Sequence, residues 1–277
     1  MLFQEIGSVG HVTRGAWTIS QSQRADAAEL HLLFVGGKRP DRAAIRAFSN
    51  SQQTVAISHD PHPESVSHEE ALWPGQQDWI ELLSAGLTFD LSGLAPGPAS
   101  DFPVAEHRFD LPEIPTPATY EALTLHPGPH LDGSGGSAPV VRVMLALACD
   151  LVRHFPDCTA ISWGPARSVI GRRLFESVIS AWLDGGPFPA LGLTAFAPTA
   201  DGALESIGLD FWIGQELRIE PPLSTDRVAA TRLGVRLVNH LVLMGGLADD
   251  DRITAPDGTR LVLRPSRNRA LISVWRE

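Results

Sequence analysis

Glu29-Leu30-His31-Leu32-Leu33-Phe34-Val35, closed by Gly36-Gly37, is a short apolar run with the length and the ending of a buried strand. Pro40-Asp41 then open residues 42–48, where Ala43, Ala44, Ile45, Ala47 and Phe48 supply the packing side of a short helix. Thr54-Val55-Ala56-Ile57 reads as a second strand. Strand, helix and strand in this order predict a βαβ unit with a right-handed crossover.

Downstream, residues 58–70 are polar, residues 78–84 suggest a short helix, and residues 86–91 read as another strand. Pro98, Pro103, Pro112, Pro115 and Pro117 punctuate the next stretch, with extended pieces at 105–111 and 120–125 between them. Proline sets φ and removes a donor, so this region reads as loop or edge strand, with a linker near 112–117.

The second half has clearer periods. Ser137 and Pro139 suit the start of a helix over 140–155, and Thr159-Ala160-Ile161-Ser162-Trp163 is a strand stopped by Gly164-Pro165. Val169, Ile170, Leu174, Phe175, Val178, Ile179 and Trp182 recur at helical spacing until Gly185-Gly186-Pro187. Residues 191–197 and 209–220 are strand-like, 224–244 is a long helix, and 252–254, 261–263 and 270–275 close the chain as β structure. The expected class is α+β: two α/β sandwich units of ferredoxin-like type, their helices packed on mixed or antiparallel sheets. The linker divides them into an N-terminal unit over 1–115 and a C-terminal unit over 116–277.

Composition narrows the chemistry. With 277 residues, 43% hydrophobic and 19% charged, the chain has enough apolar content for a sizeable core. A formal charge of −10 disfavours general attraction to phosphate backbones and anionic membranes. Met1-Leu2-Phe3-Gln4-Glu5-Ile6-Gly7 has neither the basic nor the apolar region of a secretory signal, and two cysteines make no disulfide framework, so a cytoplasmic location is expected. Lys38 is the only lysine and sits in a Gly-Gly-Lys-Arg-Pro turn, which argues against Schiff-base chemistry.

The most suggestive motif is Ser58-His59-Asp60-Pro61-His62-Pro63-Glu64-Ser65-Val66-Ser67-His68-Glu69-Glu70. Imidazoles among carboxylates suit a borderline metal such as zinc, and His59, His62 and His68 are the candidate ligands. Against this, Pro61 and Pro63 make a loop, and Leu72 stands where a zincin motif has its second histidine. Trp73 and Trp79, which follow the loop, are candidate partner contacts. Gly133-Ser134-Gly135-Gly136-Ser137-Ala138 superficially fits a dinucleotide fingerprint, but no strand leads tightly into it. Gly-x-Ser-x-Gly and a complete Walker loop do not occur. Cys158 follows His154 by four residues, and a structural thiol is the favoured reading. No catalytic residue and no cofactor is assigned.

The long helix, Asn239-His240-Leu241-Val242-Leu243, Gly246-Leu247, and Asp249-Asp250-Asp251-Arg252-Ile253-Thr254 through Val274-Trp275-Arg276 resemble a bacterial family known as domain of unknown function 4261. Ala160-Ile161-Ser162-Trp163 and residues 209–220 are similar to proteins that carry that domain. The likeness covers mainly the C-terminal half, and Asp250-Asp251 replaces the acidic–glycine turn of the family. It implies a shared fold and no established activity. The expectation is a non-catalytic cytoplasmic binding protein, an accessory, adaptor or immunity-type factor with a protein partner; nucleic acid and membrane are disfavoured as partners. The alternative is a metal-dependent hydrolase or transferase that uses the His59/His62/His68 loop.

Overall fold

The computed structural model describes residues 28–61, 79–131, 133–255 and 257–277. His62, His68 and Trp73 lie outside the described residues. Leu30–Val35 forms β1, whose first five residues are buried, as expected of a central strand covered on both faces. Asp41 caps α1 (Arg42–Ser51) by accepting from the Ala44 amide, and Ile45 and Phe48 turn its apolar side inward. Then come β2 (Val55–His59), β3 (Trp79–Ser84), β4 (Leu87–Ser92), β5 (His107–Phe109) and β6 (Tyr120–Pro127). A 3-10 turn at Pro129–Leu131 leads into α2 (Ala138–His154), β7 (Cys158–Trp163), β8 (Ser168–Gly171) and α3 (Arg172–Leu183).

These eight strands make one mixed sheet in the order β2-β3-β4-β6-β1-β7-β8-β5. β5 and β8 run parallel; the other neighbours are antiparallel. A second mixed sheet is ordered β12-β13-β14-β11-β10-β9. Its strands are β9 (Ala195–Pro198), β10 (Leu204–Ile207), β11 (Glu216–Ile219), β12 (Asp251–Thr254), β13 (Arg260–Pro265) and β14 (Leu271–Arg276). The short turns α4 (Ala190–Leu193) and α5 (Asp210–Ile213) and the long helix α6 (Arg227–Met244) complete the chain. The mixed α/β class expected from the sequence is therefore the observed one.

Several local expectations are corrected. Residues 79–84 are strand, not helix: Ile80 and Leu82 enter the core while Leu83 is exposed, a period of two that so short a run does not announce. Val169 and Ile170 belong to β8, and the helix starts only after Gly171. A methyl group on Gly171 would overlap the carbonyl oxygen of Asp110, so β5 and β8 meet there at glycine distance. Residues 209–220 are not one strand, because Gly208 and Gly214, with φ of 83° and 75°, bracket α5. β6 is an interior strand between β4 and β1 rather than an edge. Residues 112–117 connect β5 to β6, two strands of the same sheet, so the division at 115/116 falls within that sheet's set of strands. One apolar core also runs through both sheets, from Leu30 and Phe48 to Leu217, Leu241 and Val274.

Candidate binding site on the helix-free face

Strand alternation sorts the large sheet into two faces. Leu30 and Leu32 of β1, Ile80 and Leu82 of β3, Phe89 and Leu91 of β4, and Leu123 and Leu125 of β6 join the core shared with α1 and α2. The alternate residues face the other way. Toward one end they form a small apolar cluster of Leu33, Ala122, Ala160 and Val169, which Phe102 and Ala105 cover. Toward the other end they are polar.

Register lines these polar groups into two adjacent rows. In the first, His59 pairs with Glu81, Glu81 with Asp90, and Asp90 with His126. In the second, Trp79 pairs with Ser92, Ser92 with Thr124, Thr124 with His31, and His31 with Ser162. Directly paired antiparallel residues hold their Cβ atoms about 5 Å apart, so neighbours within a row are in reach of one another. Glu81, Asp90, Ser92, Thr124, His31 and Ser162 are each no more than 9% exposed, an unusual depth for a polar tract on a face that no α-helix among the described residues covers.

Specific bonds fix most of the tract. Ser58, at the bulge between β2 and β3, donates to Glu81 Oε1 at 2.6 Å, and His130 Nε2 meets Glu81 Oε2 at 3.1 Å. His126 Nδ1 lies 3.0 Å from the Pro127 carbonyl oxygen. A carbonyl only accepts, so Nδ1 is the donor in this contact. His31 Nδ1 is 3.0 Å from Thr124 Oγ1, and burial pushes this imidazole down to about 4, which keeps it neutral.

Asp90 is the exception. Its Oδ1 is buried and has no hydrogen-bond partner among the described residues. Its carboxyl is raised above the usual range, chiefly by burial; His126 opposes the shift, Glu81 adds to it, and His130 and His59 oppose it. An unpaired buried polar group costs about 1–3 kcal/mol, so a fold that keeps one holds it at a cost to stability.

Beside the second row, Glu29, His31, Asp101, Phe102 and Gly164 line an open cleft of about 550 Å³. The face therefore offers a buried carboxylate and imidazole nitrogens, with a cleft at the His31 end. Such a set can bind a cation, accept hydrogen bonds or exchange protons. In the arrangement seen, no three histidine, cysteine, aspartate or glutamate side chains among the described residues are drawn together as a metal's ligand shell would be.

Of the residues singled out in the sequence, His59 stands at the end of the first row, with its ring 5.4 Å from that of Trp79. Trp79 opens β3 and is partly buried. Glu81, Asp90, His126, His130, Thr124 and His31 were not legible as a site. Their only signal is a polar residue alternating with apolar ones, as in Phe89-Asp90-Leu91-Ser92 and Leu123-Thr124-Leu125-His126.

Other motifs resolve into structure. Arg39 pairs with Glu121 and bonds to the Gly93 and Gly97 carbonyls, while Arg42 and Arg46 pair with Asp60. Burial drives the Cys158 thiol up to about 12, and His154 packs its ring on Phe48 and Phe155. Among the described residues no helix is long and apolar enough to cross a membrane. No protein-family model, curated protein or solved structure matches the chain.

Proposed function

We propose that this chain is a binding protein that seats a small polar or cationic ligand on the helix-free face of the large sheet, at the Glu81–Asp90–His126 row. One observation carries the reading: among the described residues Asp90 Oδ1 is buried without a partner, although its row neighbour Glu81 and His31 of the next row are each bonded. A ligand that donates to Asp90 would remove the cost of that vacancy. An accessory role in the cytoplasm and kinship with the domain of unknown function 4261 family belong to the same proposal. That kinship rests on the C-terminal residues quoted above and adds no activity.

A catalytic second reading is favoured by His59 and by the His130–Glu81 pair, which bring imidazoles and carboxylates into one row. It makes the chain a hydrolase or transferase, with Asp90 or Glu81 exchanging protons with substrate. A panel of small polar metabolites and metal ions, read by thermal shift on wild type and Asp90→Asn, tests the binding reading. Compounds that stabilise wild type but not the variant support it. Compounds that stabilise both equally, or none that stabilise wild type, reject it. Chemical turnover of a stabilising compound moves the catalytic reading ahead.

A further inference from the structure

We infer that the open cleft at the His31 end of the second row is a binding site for a small primary alkylammonium ion, held by Glu29, His31 and Asp101. The site is separate from the Asp90 row and does not depend on what that row binds.

Glu29, one residue ahead of β1, and His31, within it, are alternate residues, so both side chains lie on the helix-free face. Asp101, Phe102 and Pro103 reach the cleft from the segment between β4 and β5, and Gly164 and Pro165 from the β7–β8 turn. The volume of about 550 Å³ suits a small molecule.

His31 is the group that points to a ligand. It is 4% exposed yet lines the cleft. Nδ1 is taken by Thr124 Oγ1, and Nε2 makes no hydrogen bond among the described residues. Glu29 Oε2 stands 3.9 Å from Nε2. That gap is too long for a hydrogen bond, but one ammonium nitrogen can sit about 2.9 Å from both atoms and bridge them. The Thr124 hydroxyl both donates and accepts, so it serves the tautomer that leaves Nε2 bare. Burial holds this imidazole neutral, and its lone pair stays available at pH 7.

Charge selects a cation. Among the described residues neither Glu29 nor Asp101 pairs with lysine or arginine, and a neutral His31 leaves both carboxylates uncompensated. Chemistry then selects an ammonium: two carboxylates and a bare Nε2 are acceptors, which matches the three N–H donors of a primary amine cation. Phe102, Pro103 and Pro165 give apolar surface for a short hydrocarbon stem. These acceptors are not drawn together as a metal's ligand shell would be, so the cation that fits them is organic.

The test is saturation-transfer NMR with butylammonium chloride on the full-length protein, at neutral pH and low ionic strength. Saturable binding to wild type is expected. Butan-1-ol, which lacks the charge, and tetramethylammonium, which lacks N–H donors, should not saturate over the same concentrations. Glu29→Gln and Asp101→Asn should each weaken binding about fivefold, the upper range for exposed ion pairs. His31→Phe, a ring without the acceptor, should weaken it about tenfold. Asp249→Asn, an equal change of charge between α6 and β12, should leave it unchanged. Circular dichroism reports whether the variants fold; should His31→Phe not fold, the exposed Glu29 and Asp101 positions decide alone. No saturable binding to wild type overturns the inference. So does butylammonium held equally by wild type and the Glu29 and Asp101 variants, or tetramethylammonium held as well as butylammonium. Binding lost with Asp90→Asn and kept by Asp101→Asn places the cation on the Asp90 row, which overturns this inference and leaves the reading above standing.

Discussion

Asp90 lies directly across the β4–β6 pair from His126, and its Oδ1 finds no hydrogen-bond partner among the described residues. The two side chains face away from the helices, in a row whose other carboxylate is held by Ser58 and His130. A group kept for binding at the expense of stability has a recognisable mutational signature. Asp90→Asn should unfold at a higher temperature than wild type in chelator at pH 8, with a gain of about 1 kcal/mol. Thermal denaturation followed by circular dichroism checks this, and a lower midpoint would mean that Asp90 contributes to folding.

His31 predicts a pH dependence. Its folded value of about 4 lies below the ordinary 6.5, so between those limits the unfolded chain binds the extra proton. Its contribution is present above pH 6.5 and is lost as the pH falls toward 4, with a full span of about 3 kcal/mol. His31→Gln, which does not titrate, should flatten that part of the profile of urea midpoints. A slope identical in wild type and variant would show that the imidazole is not held neutral.

Glu216 works in the opposite sense. Its carboxyl accepts from Ser206, Gly208 and Leu209, anchoring the chain that enters α5, yet burial, the largest cause, pushes it up to about 7. The folded state therefore binds the proton more tightly than the unfolded chain between 4.5 and about 7. Stability from this group is full below 4.5 and declines as the pH rises through 7. In wild type the two slopes partly cancel where the windows overlap. Glu216→Gln should steepen the acid-side loss that His31 causes, and His31→Gln should unmask the decline toward neutral pH.

At the junction of the sheets, the Trp163 and Trp212 indoles both donate to the Leu193 carbonyl, at 3.2 and 3.5 Å. Trp163 is wholly buried, so Trp163→Phe loses both the bond and packing volume, at about 2–4 kcal/mol. Trp212→Phe, partly exposed and with the longer bond, should cost less. Urea unfolding of the two variants orders them, and equal costs would argue against Trp163 as the main anchor.

How far the sequence reveals this molecule follows from the range of each signal. β1 and α1 are set by local period and by the Asp41 cap, and both appear where the residues predict them. β3, β8 and α5 escape, because a run of four to six residues fits two periods and the choice is made by partners distant in the chain. The Asp90 row is a stronger case. Glu81 and Asp90 face each other across the β3–β4 hairpin, but His126 comes from a strand distant in the chain, and only the β3–β4–β6 register puts the three in one row. The histidine loop was visible because it is contiguous; of its candidate ligands, His59 alone is among the described residues.

The most direct measurement is a crystal structure of the protein with a compound that stabilises wild type and not Asp90→Asn. A ligand donating a hydrogen bond to Asp90 Oδ1 is the predicted result. A ligand seated elsewhere on the protein, with Asp90 still unpaired, would contradict the account.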